Sequence, residues 1–349
     1  MKKLLNTLYV TTEESYASLD GENIVISSKG NEIGRYPLST LDSVYFFTYP
    51  GCSPALMKKC CESGIPLQFL TVQGRYAGRV KGPSRGNVLL RVAQVKQFTE
   101  KDLSSEIGNR NLVLIQNTVA CKLANSIHLL KRTLKDYPEV NEDNSLSDCV
   151  EFLKSAIDQV YGQSDKTVIM GIEGLAARAY FGVFDRMLVK QRCDFIVSGR
   201  SKRPPTDRLN AVLSFLYTVY ISDITAALES VGLDAYVGYY HELRPGRASL
   251  ACDMVEEVRC IVERVVVSSI NLKKLQADDF DEQPGGAVLL NECGRKKILT
   301  LWQEKKRASF QHPYLKQKIQ YGLLPFVQAN LMAKYIRGEI DEYPNFILR

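Results

Sequence analysis

The spacing of apolar residues changes near residue 85 of this 349-residue chain. Before that point, short runs rich in Tyr, Val, Ile and Phe alternate with turn residues, a pattern typical of β-strands. After residue 88, apolar residues recur mostly at i, i+3 and i+4, which predicts helices. Strands and helices do not alternate, so a doubly wound parallel sheet is disfavoured. We predict an α+β fold, with a small β-rich domain over residues 1–85 and a larger all-α domain over residues 86–349.

Local signals place the elements within these two regions. Ser53 as N-cap, Pro54 in the first turn and Gly64 as the stop predict one helix inside the β-rich part. Strands are expected at 4–10, 15–18, 23–26, 32–37, 43–47, 66–72 and 76–80. Helices are expected at 111–134, 147–161, 169–189, 209–231, 250–268, 287–306 and 315–337. Clusters of Gly, Pro and Ser predict a linker at 81–86 and flexible connections at 198–208 and 276–286.

Composition excludes several classes of protein. Nine irregularly spaced cysteines without a CxxC pair exclude a disulfide framework or a structural zinc site, and they favour a reducing compartment. No run of eighteen uninterrupted apolar residues occurs, so we expect no membrane span and an intracellular protein. A formal net charge of +6 permits a nucleic-acid partner without requiring one. GxGxxG and P-loop motifs are missing from the sequence, so no phosphate cradle is predicted.

The segment 232–257 carries the densest group of chemically active residues. His241 leads through a Pro-Gly turn into a helix that Ser249 should cap, and Asp253 and Glu256 follow three residues apart on that helix. A histidine and carboxylates brought together by a turn can hold a divalent cation. The alternative is a solvated helix face, with Asp253 near the helix N-terminus. Of the other histidines, His128 is predicted to pack in a helix and His312 to lie at the surface.

Other segments give weaker signals. Glu173 lies between two glycines in a small-residue helix, where it could be a functional acid, a partner of Arg178 or an N-terminal helix charge. Asn210 and Ser214 lie at i and i+4 and favour an interhelical hydrogen bond. Basic residues cluster near 75–85, 200–208 and 305–307, where they could contact phosphates or simply be solvated.

Three motifs carry a family resemblance when they are taken in order. The first is Gly-x-Glu-Gly-x-Ala-x-x-x-Tyr-Phe from Gly171, and the second is Asn-Ala-x-Leu-Ser-x-x-Tyr from Asn210. The third is Gly-Leu-Asp-x-x-x-Gly-x-x-His-x-x-x-x-Gly-Arg-x-Ser-Leu-x-x-Asp-x-x-Glu from Gly232. Together they resemble the CRISPR-associated endonuclease/integrase of the spacer-acquisition complex, over essentially the whole chain. The full pattern is most similar to the subtype I-C branch.

The resemblance implies a site. Glu173, His241 and Glu256 match the family's metal ligands and catalytic residues, and Asp253 matches an aspartate that supports them. Many members carry Asp where this chain has Glu256, a change between two oxygen ligands. The implied cofactor is Mg²⁺ or Mn²⁺. We predict that Arg247, beside the metal motif, contacts DNA, and that Arg200 and Lys202 do so as well.

The resemblance also implies an activity and an assembly. A captured double-stranded DNA fragment is inserted into a repeat array by attack of its 3′-hydroxyl ends on phosphodiester bonds. The N-terminal domain is expected to form a homodimer, and a small ferredoxin-like protein to bridge two dimers. The setting is the prokaryotic cytoplasm. Two alternatives remain open: a DNA-binding scaffold that has lost catalysis, and an unrelated hydrolase of small phosphoesters.

Overall fold

The computed structural model describes residues 5–82, 87–197, 199–201 and 204–348. The N-terminal part contains strands and one helix: β1 (Thr7–Val10), β2 (Ser15–Asp20), β3 (Asn23–Ser28), β4 (Asn31–Pro37), β5 (Ser43–Phe46), α1 (Pro54–Ser63), β6 (Leu67–Leu70) and β7 (Tyr76–Val80). The remainder is mostly helical: α2 (Val88–Thr99), α3 (Glu106–Asp136), α4 (Ser145–Tyr161), α5 (Lys166–Gly182), α6 (Arg208–Ser230), α7 (Ser249–Asn271), β8 (Phe280–Glu282), β9 (Val288–Leu290), α8 (Glu292–Arg307), β10 (Ser309–Gln311), β11 (Lys318–Gln320) and α9 (Leu324–Ile336). The predicted α+β order is confirmed.

Turn and cap chemistry explains the local structure of the β-rich part. Lys29 and Gly30 both have positive φ, 51° and 82°, and this backbone twist matches that of the flanking antiparallel strands β3 and β4. The Ser53 hydroxyl accepts from the Leu56 amide at 3.2 Å and begins α1. Gly64 ends α1 in the left-handed conformation, at φ 67°. The predictions for Ser53 and Gly64 are confirmed.

Two sheets form the N-terminal part. One is an antiparallel meander in the order β2-β3-β4, and the other has the order β1-β5-β6-β7. In the second sheet β5 pairs in parallel with both β1 and β6, and β7 pairs antiparallel with β6. Strand β5 is therefore interior, and all four of its residues are buried. Strand β4 lies at the edge of its meander, and no residue along it is buried.

The sheet containing β5 packs directly on α6. The Tyr45 hydroxyl donates to Asp223 at 2.6 Å, and Lys306 of α8 donates to the same carboxylate at 3.1 Å. Gln68 donates to the Tyr45 oxygen at 3.0 Å. Tyr45 belongs to the same apolar core as the helices. The N-terminal part thus contributes to the core of the helices and also has a second apolar core of its own. The predicted boundary at residues 85 and 86 stays a prediction because residues 83–86 lie outside the described residues.

The helical part is built on α7, which packs against α3 and against α6 within a common core. By length and composition alone, helix α6 could cross a membrane. However, 67% of its apolar 18-residue stretch is buried inside the protein. A buried core helix can be equally long and apolar, so the apolar composition of α6 is explained by its packing.

Several boundaries differ from expectation. The second part is not all-α, because short hairpins form between β8 and β9 and between β10 and β11. The first hairpin replaces much of the flexible connection expected at 276–286. Three-residue strands are too short to produce a period in the sequence. Helix α9 begins at Leu324, after a strand and a 3-10 turn, rather than at residue 315. Helix α5 ends at Gly182, earlier than predicted, and α2 is not among the predicted helices.

Candidate active site

The Asp253 carboxylate organises the loop that carries His241. Asp253 lies in the first turns of α7 and is fully buried. It accepts the backbone amides of Tyr239, Tyr240 and His241 at 2.8, 3.0 and 2.8 Å. Its Oδ1 also lies 2.7 Å from His241 Nδ1. This contact favours the tautomer of the neutral imidazole in which Nδ1 carries the proton and Nε2 has the lone pair that a metal ligand needs.

Gly238 makes this arrangement possible. A Cβ atom at residue 238 would lie 2.5 Å from Asp253 Oδ2 and 2.8 Å from the backbone of Ser249 and Leu250. The loop can approach the N-terminus of α7 this closely only without a side chain. Ser249 does not cap the helix, contrary to the prediction, because its hydroxyl donates to the carbonyl of Glu242 at 3.1 Å.

Glu256 lies one turn beyond Asp253 on α7, and its side chain is 12% exposed. Its Oε2 is 2.6 Å from Lys122 Nζ and 2.8 Å from Arg259 Nη1. Burial alone would raise the pKa of the Glu256 carboxyl, but the charges of Lys122 and Arg259 outweigh burial and hold that pKa well below its usual value. Glu256 is thus an ionised, enclosed carboxylate, and the alternative of a solvated helix face is wrong.

Glu173 reaches the same point from α5. Its Oε1 contacts Lys122 Nζ, so Glu173 and Glu256 converge on one ammonium from separate helices. The alternative of a pair with Arg178 is wrong, because the cation that Glu173 contacts is Lys122. Burial raises the pKa of the Tyr240 hydroxyl, and so do the negative charges of nearby carboxylates, which are those of Glu173, Glu256 and Asp253. The His241 loop therefore adjoins both glutamates.

The donor set fits a hard divalent cation. Two carboxylates and an imidazole with a free Nε2 are the ligands that such an ion accepts. Within the described residues no three His, Cys, Asp or Glu side chains lie close enough together to hold an ion as they stand. The Lys122 ammonium lies between the two carboxylates and takes the place of a metal cation.

A buried network holds Glu256 from its other side. Arg259 also donates from Nε to Glu263 at 3.0 Å. The hydroxyls of Tyr217 and Tyr180 donate to Glu263 at 2.7 and 3.0 Å. Every charged group in this network has an opposite charge or a donor beside it, as burial requires. Arg259 is therefore fixed from two directions, and so is the Glu256 carboxylate that it contacts.

The three residues chosen for DNA contacts have different settings. Arg200 donates to Asn210 Oδ1 at 2.6 Å and to Ser214 Oγ at 3.0 Å, so the i, i+4 pair on α6 holds an arginine. Arg247 contacts the carbonyl of Glu242 and is partly exposed beside the His241 loop. Lys202 lies outside the described residues. Their role toward DNA stays a prediction.

Two further differences concern single residues. His312 is fully buried and lies 3.2 Å from Gln328 Oε1, so its predicted surface position is wrong. Lys122 is not among the predicted site residues. Its signal is a run of polar residues at helical spacing inside the apolar α3: Thr118, Lys122, Asn125 and Ser126, all buried.

Comparison with known proteins shows the family of the chain. The family model described as "CRISPR associated protein Cas1" matches residues 8–304. The "CRISPR-associated endonuclease Cas1 1" of Chlorobaculum tepidum is 42% identical over 350 residues, covering 100% of both chains. The chain therefore belongs to the CRISPR-associated Cas1 endonuclease family.

Solved structures share the fold. A "Casposase bound to integration product" superposes with a TM-score of 0.80 at 21% identity, covering 96% of this chain and 92% of that one. A chain of a "Cas6-RT-Cas1--Cas2 complex" superposes with a TM-score of 0.78 at 22% identity, covering 100% of this chain and 36% of that one. The Cas1 fold thus extends over essentially the whole chain.

Proposed function

We propose that this protein is a divalent-metal-dependent DNA integrase that inserts captured DNA fragments into a CRISPR repeat array. The observation that carries the proposal is the convergence of Glu173 and Glu256 on one cation beside His241. Family membership and the name of the Chlorobaculum relative support it. Subtype I-C rests on the sequence pattern alone.

The proposed ligands are Glu173, His241 Nε2 and Glu256, with Mg²⁺ or Mn²⁺ as the ion. A bound ion would polarise the scissile phosphate and favour ionisation of the attacking 3′-hydroxyl. The protein's own contribution is to fix these ligands beforehand. Asp253 sets the tautomer and direction of His241 through the 2.7 Å contact. Arg259 and its network hold the Glu256 carboxylate in a single orientation.

DNA binding would use cations around this site. Arg247 is the first candidate because it lies in the loop between His241 and α7. Arg200 and Lys202 are proposed with it. Contacts of this type neutralise phosphates without reading bases, so affinity should fall steeply with salt. A shallow salt dependence would instead favour the hydrolase of small phosphoesters.

The proposed assembly is a homodimer that binds a small ferredoxin-like partner. Support for self-association comes from the edge strand β4, where Ile33 and Tyr36 are 48% and 42% exposed. By its name, the superposed Cas6-RT-Cas1--Cas2 complex joins Cas1 to Cas2, and this supports a second protein. Light scattering of wild type and Ile33→Glu tests the dimer: the variant should elute as a monomer, and an unchanged mass would contradict this interface.

A cytoplasmic, prokaryotic location belongs to the same proposal. All nine cysteines are free thiols, and five of them are buried. Free thiols persist in a reducing compartment.

A strand-transfer assay tests the activity. The substrates are a labelled duplex with free 3′-hydroxyl ends and a supercoiled plasmid carrying the repeat, with Mg²⁺ or Mn²⁺ and the partner protein. Glu173→Gln keeps the side-chain size but removes a proposed ligand, and Glu151→Gln on the exposed face of α4 is the matched control. Product from wild type and the control but not from Glu173→Gln is expected. DNA binding without product in wild type would favour the inactive scaffold.

A further inference from the structure

The side chain of Lys122 is enclosed at the centre of the candidate site. It projects from the middle of α3 and is 8% exposed. Its ammonium contacts Glu173 and lies 2.6 Å from Glu256 Oε2. The two acids come from α5 and α7, so Lys122 joins three helices at one point. A lysine this buried is stable only because carboxylates surround it.

The ammonium balances a charge that the two acids could not carry alone. Two ionised carboxylates close together repel each other strongly where little water screens them. Arg259 neutralises part of this charge, but it contacts Glu256 and Glu263 rather than Glu173. Lys122 is therefore the cation that lies between Glu173 and Glu256.

We propose that Lys122 is a positioning residue that competes with the divalent cation for the oxygens of Glu173 and Glu256. The inference rests on the proposed metal site and adds a regulating group to it. Two cations cannot share these oxygens at close range, because their charges repel. The four-carbon stem of Lys122 lets the ammonium withdraw when the ion binds. Lys122 thus holds the ligands ready without metal and sets the cation concentration at which the site fills.

Titration with Mn²⁺ alone tests this competition without any measure of activity. Free Mn²⁺ is counted by electron paramagnetic resonance against the full-length protein. Lys122→Met keeps an unbranched side chain and removes the charge. Lys131→Met, at an exposed position of the same helix, is the matched control. Lys122→Met should bind Mn²⁺ about tenfold or more tightly than wild type, because a competing charge is gone. Lys131→Met should match wild type.

The outcomes of the titration distinguish failure of the Lys122 competition from failure of the proposed metal site. Equal or weaker Mn²⁺ binding by Lys122→Met, with normal binding by wild type, would overturn the competition alone. An identical titration of wild type and His241→Ala would overturn the metal site itself, and the inference with it.

Thermal melting and a second variant, Lys122→Gln, keep the test informative if Lys122→Met is destabilised. Without metal, Lys122→Met should melt below wild type, because Glu173 and Glu256 then face each other without the ammonium between them. Added Mn²⁺ should raise its melting temperature more than that of wild type. Lys122→Gln, which keeps a polar end, should behave in the same direction. Equal Mn²⁺-induced shifts in wild type and Lys122→Gln would also overturn the proposal.

Discussion

Asp253 Oδ1 lies 2.7 Å from His241 Nδ1, and the same carboxylate accepts three successive backbone amides from the loop that carries this histidine. One buried side chain therefore fixes both the ring and the backbone of His241. A group that orients a ligand in this way influences metal affinity without touching the ion.

Asp253→Asn should test that role. The oxygen of the amide group that this substitution introduces can accept from His241 Nδ1. That group carries no negative charge, however, and its nitrogen cannot accept from the remaining donors. We expect metal affinity and strand transfer to fall about 10–100-fold. Asp148→Asn, an exposed aspartate on α4, is the control and should bind Mn²⁺ as wild type does. Unchanged Mn²⁺ affinity in Asp253→Asn would show that the contact is structural only.

Gly238→Ala should disturb the same loop by packing. The new Cβ would lie 2.8 Å from backbone atoms of α7, which cannot move aside as a flexible side chain can. We expect a loss of about 2 kcal/mol in the free energy of unfolding. Gly171→Ala is a matched control, because no atom lies within 4 Å of the Cβ it would add. Denaturant unfolding of both variants measures the difference, and equal stabilities would contradict the close approach.

Glu257 anchors the C-terminal segment beneath the site. Its carboxylate accepts from the Tyr343 hydroxyl at 2.5 Å, the Phe346 amide at 2.7 Å and the Gln328 side chain at 3.2 Å. Burial raises the pKa of this carboxyl to about 7, although these donors act in the opposite direction. Glu257→Ala leaves buried donors unpaired and should cost about 3 kcal/mol.

The loss in Glu257→Ala should be accompanied by release of the C-terminal segment. Limited proteolysis should cut Glu257→Ala after residue 337 faster than wild type. Glu151→Ala, on an exposed helix face, should change neither stability nor cleavage. A cleavage rate equal to that of wild type would contradict the anchoring role.

Lys305 should make stability depend on pH in the alkaline range. Burial, followed by the nearby charge of Arg264, lowers the pKa of Lys305 to about 8, against an ordinary value of 10.5. Between these values the unfolded chain binds more protons than the folded one, so the contribution of Lys305 to stability rises with pH. Below pH 8 the folded protein holds a partly buried ammonium over the Tyr321 ring, 3.6 Å from its centre.

Lys305→Met removes that charge. At pH 7 the variant should be more stable than wild type by about 1 kcal/mol, after allowance for solvent screening of the exposed part. The advantage should be mostly lost by pH 10, because the unfolded chain releases this proton near pH 10.5. Denaturant unfolding at both pH values measures it, with Lys131→Met as the exposed control. A difference that stays constant with pH would contradict the lowered pKa.

The sequence predicts best where the determinant is local. Ser53, Pro54 and Gly64 define α1 by caps that act over one turn. The Lys29-Gly30 turn defines a hairpin in the same way. The hairpins of β8 with β9 and of β10 with β11 depend on packing instead, since three residues cannot show a period. The buried state of His312 also depends on distant chain, because Gln328 lies beside it in space.

The candidate site shows the same division. The motif order places Glu173, His241 and Glu256 in the sequence, but the ligand set remains a prediction. Lys122 is 51 residues before Glu173 and 134 before Glu256, and only helix packing brings them together. The polar residues at helical spacing in α3 mark Lys122, but that spacing does not identify the two later acids that Lys122 contacts.

The contact between Tyr45 and Asp223 has a consequence during synthesis of the chain. The two residues are 178 positions apart, and Lys306 of α8 completes the contact later still. At an elongation rate of about 5–20 residues per second, the ribosome needs roughly 10–40 s to make the intervening chain. During that time the face of β5 and β6 that α6 will cover is open to water and to other nascent chains. The newly synthesised N-terminal part is therefore expected to depend on chaperones until α6 leaves the ribosome. Residues 1–82 expressed alone should aggregate.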